Sequence, residues 1–145
     1  TKIDILKKYW LPIVVGCTAG SAASMASVFG MCKLFGLDQS MTVSLIPKSV
    51  TTPIAVSISE PAGGVVPITV VAVIFKGILG SILAPTLIKI FHVKDSVAAG
   101  LAIGACSHAV GTSKAIEIGE IEGAMSGLAI GICGIITVLF SMLIM

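Results

Sequence analysis

Two short polar clusters interrupt an otherwise apolar chain, and they hold the residues with chemistry to offer. The first runs Pro47-Lys48-Ser49-Val50-Thr51-Thr52-Pro53; the second is Ser107-His108 followed by Gly111-Thr112-Ser113-Lys114. Lys48, His108 and Lys114 supply cations or donors, Ser49, Thr51, Thr52, Ser107 and Thr112 supply hydroxyls, and Gly111 joins them in the expected binding set. Helix breaks are expected beside them at Pro47, Pro53 and Gly111, because proline removes a backbone donor and blocks the preceding turn. A break creates a helix N-terminus whose free N–H groups and dipole attract a carboxylate. The combination points to recognition of a small anion. Each residue taken singly also has a structural explanation: a lysine that snorkels, a packed histidine, hydroxyls that satisfy a kink. The paired arrangement is what favours a site. Glu60 and Glu117 are candidates for ion coupling, since intramembrane carboxylates line ion paths. Glu60 also borders Pro61 and can mark a loop, while Glu117 lies three residues after Lys114 and can pair with it along a helix. The catalytic motifs H-E-x-x-H, G-x-S-x-G and the phosphate loop are missing, and neighbours such as Ser107 and His108 do not face each other on a helix. No enzymatic activity, catalytic residue, cofactor or metal site is expected.

The elements around these clusters are membrane elements. Of 145 residues, 56% are apolar, 11% are charged, and 16 more are glycine. A globule of this size has too little interior to hide that much apolar surface. That excludes a soluble enzyme or a disordered tail, and nine lysines giving a net charge of +2 are too scattered to bind nucleic acid. Tyr9 to Cys32 is uncharged, and so is Gly123 to Met145; each is long enough to cross a hydrocarbon core of about 30 Å as a helix. The expected organisation is a single all-α membrane domain over 1–145: spans at 9–34, 65–91 and 123–145, with broken helices at 40–60 and 96–117. Broken backbone at membrane depth survives only inside protein or against a wet cavity. Lys76 falls inside the middle span and either faces such a cavity or pairs with a carboxylate. Four cysteines without a C-x-x-C pair read as small packing residues. Gly16-Gly20-Ser24 and Gly119-Gly123-Gly127-Gly131 recur every fourth residue, a pattern that lets helices approach closely in lipid. The chain opens at Thr1, and a longer parent protein is expected.

The two halves resemble each other. Offset by 60 residues, Lys48–Gly64 lies over His108–Ala124 with six identities in 17 positions, and Lys48 falls on His108. This suggests an internal repeat of one span followed by one broken segment. If each broken segment dips in and returns, the halves are inverted. Lys2, Lys7, Lys8, Lys89 and Lys94 then share one face, the cytoplasmic one by positive-inside bias, with Lys33 opposite. If the segments cross fully, that asymmetry weakens.

Ser44–Ala55 (SLIPKSVTTPIA), the Gly63-Gly64 that follows, and Gly100–Glu117 (GLAIGACSHAVGTSKAIE) closely resemble the LrgB/CidB family of bacterial membrane proteins. The resemblance covers essentially the whole chain and implies that it is the C-terminal part of a longer, multi-pass protein of the bacterial cytoplasmic membrane. It implies the signature positions Pro47, Lys48, Ser49, Thr51, Thr52, Pro53, Ser107, His108, Gly111, Thr112, Lys114 and Glu117. It also implies an antiholin-like link to murein hydrolase control and autolysis, a small membrane partner of the LrgA type, and likeness to carriers of pyruvate or of glycolate and glycerate. Lys76 departs from the family pattern, which leads one to expect a small or uncharged residue there. The expected function is a carrier for small monocarboxylates, with the bilayer, the substrate, the small partner and further copies of the chain as partners. The alternative is a holin- or antiholin-like regulator of lysis without transport. A pore needs a polar stripe along a whole span, which the clean spans lack.

Overall fold

The computed structural model describes residues 2–145, except for the side chain of Lys2. It is all-α: α1 (Lys2–Leu34), α2 (Gln39–Leu45), α3 (Thr52–Ser59), α4 (Val66–Ile90), α5 (Ser96–Ile118) and α6 (Glu120–Ile144). Three stretches are long and apolar enough to cross a membrane: Ile3–Leu34, Val66–Ile90 and Glu120–Ile144. Their outward faces carry large apolar side chains in the open, such as Val71, Phe75 and Ile82 on α4 and Ile135 and Leu139 on α6. In water such faces would be a liability; in lipid they are the solvent-exposed surface.

The first broken segment is α2, an irregular stretch from Ile46 to Thr51, and α3. Asp38 caps α2, its carboxylate accepting from Met41 N at 3.2 Å, so the entrance carries a charge that belongs at the surface. The segment then returns to the face it entered. Ser40, at the start of α2, donates to the carbonyl of Gly63, just past α3. Deeper in, Ser44 of α2 and Ser59 of α3 both meet Thr69 of α4. Ser44 also accepts from the backbone N–H of Val65, and Gly64 passes so close to Ser59 and Ser44 that no Cβ would fit. Buried hydroxyls thus clamp both arms to the first turn of α4.

The second segment, α5, reverses within one run of helix. His108 has φ 37° and ψ −131°, outside helical space. Gly100 packs on Glu122 and Gly104 on Ser126 on the way in; Thr112 returns to Ser126 and Ile116 to Gly123 on the way out. The two arms therefore lie side by side against the first half of α6, with His108 at the turn. Asp95 caps the entering arm by accepting from Ala98 N at 2.8 Å. At this face a groove is lined by Ile3, Lys8, Asp95 and Glu120; at the other, Lys33, Gln39, Ala62 and Met145 come together. So α1 and α6 run one way, α4 runs the other, and the re-entrant segments enter from opposite faces. Lys7, Lys8, Lys89 and Lys94 share one end, opposite Lys33, whose ammonium lies 4.7 Å from the Phe29 ring centroid.

Three details differ from the sequence reading. The second break falls at His108 rather than Gly111; Gly111 instead packs on Ser107 and Ile103, letting the arms close behind the turn. Pro53 stands in the first turn of α3, where its fixed φ suits a helix start, so it begins the returning arm rather than breaking it. The small-residue stripes are only partly used: Gly123 packs on Ile116, but Gly16, Gly20, Gly127 and Gly131 have nothing within 4 Å. The close approaches fall to Gly100 and Gly104.

Two outcomes follow. Gly104→Ala forces a Cβ into the Ser126 backbone, so thermal unfolding of the full-length protein in detergent is expected to show a loss of about 1–3 kcal/mol; Gly127→Ala, facing open space, is expected to cost nothing. In a background with the native cysteines replaced, Gln39→Cys and Glu60→Cys should react with an impermeant maleimide from one side of the membrane and Lys94→Cys from the other. Labelling of Glu60→Cys from the Lys94 side contradicts the re-entrant path.

Candidate functional site

The two turns meet. Lys76 lies 10 residues into α4, about 15 Å from its start and thus half-way through a core of about 30 Å. The same helix presents Gly77 and Gly80 to the second turn: a Cβ at Gly77 would lie 3.1 Å from His108 Cε1, and one at Gly80 would overlap the Ser107 side chain. Glycine at both positions is what lets the α5 turn reach α4. His108 is 4% exposed, and the Lys48 backbone of the first segment lies beside its ring. Lys48 and His108, which align at the 60-residue offset, are thus brought together from opposite faces.

The polar atoms at this junction form two groups. Lys76 Nζ donates to Ser49 Oγ at 2.5 Å, and Ser49 Oγ lies 2.5 Å from Ser24 Oγ of α1. Lys48 is near enough to Lys76, and Lys76 to His108, for their charges to interact. On the other side Thr112 Oγ1 donates to the carbonyl of His108 at 2.9 Å and shares a 2.7 Å hydrogen bond with Ser126 of α6, fixing the turn. Among the described residues, His108 Nε2 is the one buried side-chain nitrogen or oxygen without a hydrogen-bond partner. A non-glycine residue at positive φ costs of order 1–3 kcal/mol and persists only where its surroundings hold it; here Gly77, Gly80, Gly111 and Thr112 do so.

Of the residues picked out by sequence, Lys48, Ser49, Ser107 and His108 gather at the junction. Thr51 precedes α3 as its N-cap without a side-chain cap bond, and Thr52 opens the helix; both are half-buried. Gly111 and Thr112 support the second turn. Pro47 is fully buried within the first break. Lys114 and Glu117 stand apart, paired with each other at 2.5 Å with side chains 40% and 64% exposed. Glu60, the C-cap of α3, is exposed. The partner of Lys76 is the hydroxyl of Ser49, and among the described residues no carboxylate pairs with it or with Lys48. Ser24 was hidden by its place in a small-residue stripe, and Ser126 had no signal beyond lying one turn past Glu122. Elsewhere, Cys17 and Cys133 meet between α1 and α6, with Cys133 Sγ 3.9 Å from the Cys17 carbonyl oxygen, and Cys32 is buried. All four cysteines are free, and among the described residues no three His, Cys, Asp or Glu side chains converge as metal ligands.

Two lysines, an imidazole nitrogen without a partner and several hydroxyls, gathered at mid-depth without a carboxylate, have the chemistry to hold an anion. No solved structure matches the chain. Proteins called antiholin-like protein LrgB from Bacillus cereus strains B4264 and AH187 and from Bacillus anthracis strain CDC 684 / NRRL 3495 are each 42% identical to it over 137 residues, 94% of this chain and 60% of the relative. The chain thus spans about 60% of the length of these curated relatives. The LrgB-like family matches residues 1–145. Two re-entrant turns meeting at a lysine and a histidine are therefore the form that the LrgB-like family, to which this chain belongs, takes in this membrane protein.

Proposed function

We propose that this chain forms the substrate path of a carrier for small monocarboxylates such as pyruvate, lactate or glycolate, in the bacterial cytoplasmic membrane. The observation that carries the reading is the buried, partnerless His108 Nε2 at a junction holding Lys48 and Lys76 and no carboxylate. A buried polar nitrogen left unpaired costs roughly 1–3 kcal/mol, and a lysine at mid-membrane roughly 2.5–3.5 kcal/mol on insertion scales. A carboxylate accepting from the imidazole and facing the ammonium groups offsets both. The start of α3 and the returning arm of α5 add helix N-termini at the same depth, the device by which repeat-built carriers address an anionic group. Ser49 orients the bound acid, and Thr112 holds the His108 turn in register.

The antiholin-like names of the relatives bring a second reading, a regulator of lysis that acts on murein hydrolases without transport, alone or with a small LrgA-type partner. The two readings are compatible if the acid is the signal. They separate experimentally: a pore releases dye from liposomes, whereas a carrier shows saturable, substrate-selective uptake.

The test is uptake of labelled pyruvate by proteoliposomes of the full-length protein. Lys48→Ala and His108→Ala are each expected to lower uptake at least tenfold, while Lys114→Ala, outside the junction, leaves it within about twofold, as expected for an exposed i,i+3 pair. Unchanged uptake in both junction variants removes them from the mechanism, and dye release with no saturable uptake favours the pore.

A further inference from the structure

The internal repeat makes Lys76 stand out. At the 60-residue offset its counterpart is Gly16, Ser49 falls on Ala109, and Ser24 falls on Ala84. The two halves share a frame, yet the trio of Ser24, Ser49 and Lys76 exists in one half only, and its three equivalents are small and carry no polar side chain. The trio sits at the unwound stretch between α2 and α3, where the Lys76 ammonium meets the hydroxyl of Ser49 and Ser49 meets that of Ser24. In carriers built from inverted repeats, unwound carbonyls and half-helix C-termini are where a coupling monovalent cation sits, next to the anionic substrate. Here the unwound stretch between two half-helices meets a covalently attached ammonium group, with its Nζ 2.5 Å from Ser49 Oγ.

We infer that Lys76 is a built-in cation: its ammonium group occupies the place of a coupling sodium ion or similar monovalent metal cation, so that substrate binding requires none. This rests on the carrier reading and deepens it. A free cation brought beside Lys76 would meet like charge in a low-dielectric site, where repulsion at a few ångströms is far stronger than in water. The neighbouring Lys48 adds to that repulsion. The fixed ammonium group does the electrostatic work of an ion that would otherwise have to be drawn from solution. Removing the side chain down to Ala should vacate a pocket edged by Ser24 and Ser49, whereas Met fills it without charge.

The test uses purified full-length protein in detergent, with unfolding midpoints compared in sodium chloride, methylammonium chloride and N-methylglucamine chloride at equal ionic strength. Wild type and Lys76→Met are expected to show no difference among the salts. Lys76→Ala is expected to gain roughly 2–4 °C in sodium or methylammonium over N-methylglucamine, the response of a domain this size to a modestly bound ligand. A sodium-specific rise in the wild type overturns the inference, as does a folded Lys76→Ala that is indifferent to the cation. Should Lys76→Ala fail to fold, wild-type pyruvate uptake in sodium-free medium decides: equal rates in sodium and N-methylglucamine support the built-in cation, and a sodium requirement overturns it. Loss of all wild-type uptake would instead count against the carrier reading, and the unfolding measurements remain independent of that outcome.

Discussion

The structure depends on one constraint: a helix interrupted inside hydrocarbon must find partners for its freed backbone groups, and cations there must find something to offset their cost. Both interruptions in this chain meet that constraint at the same place. Each re-entrant segment is capped by an aspartate at its entrance, tied to a neighbouring helix by hydroxyl hydrogen bonds, and turned at mid-depth against the other. Glycines at 77 and 80 remove the bulk that would keep α5 from α4, and His108 takes a backbone conformation that few residues adopt willingly. Neither turn is satisfactory alone; together they form a polar junction that holds Lys48, Lys76 and His108.

That arrangement divides the polar residues into two kinds. Ser44, Ser59, Thr69, Thr112 and Ser126 find partners within the fold and hold its geometry. Lys48, Lys76 and His108 carry an ammonium group or an unpaired nitrogen and lie close enough to interact. The first kind makes the second possible, because a turn pinned by hydroxyls can hold a buried imidazole with its Nε2 unpaired. The pairing of Lys114 with Glu117 at an exposed position shows the contrast: a cation with a carboxylate beside it has little left to offer a ligand.

Much of this was legible in the residues. Long uncharged runs give the spans, proline and polar clusters mark the interruptions, and the 60-residue offset lays Lys48 over His108, two residues that the fold brings together. Less legible was where α5 turns. Gly111 has the conformational freedom expected of a turn, but its small size is used for packing on Ser107, and the reversal falls on His108, which surrounding contacts force into place. Ser24 was masked because a serine in a glycine stripe looks like a packing residue. The partner of Lys76 depends on the depth at which two elements, 27 residues apart in sequence, come together, and no local pattern encodes that depth.

The central claim is that the His108 imidazole awaits a carboxylate. Solid-state NMR of the full-length protein in lipid, with histidine ring nitrogens labelled with nitrogen-15 and pyruvate labelled with carbon-13 at its carboxylate, measures that contact directly, and His108→Gln assigns the signal. The account predicts a carbon–nitrogen dipolar coupling corresponding to about 3–4 Å, the separation across an N–H···O hydrogen bond to a carboxylate, lost in the variant. A protein that takes up pyruvate yet shows no such coupling at saturating substrate would contradict it.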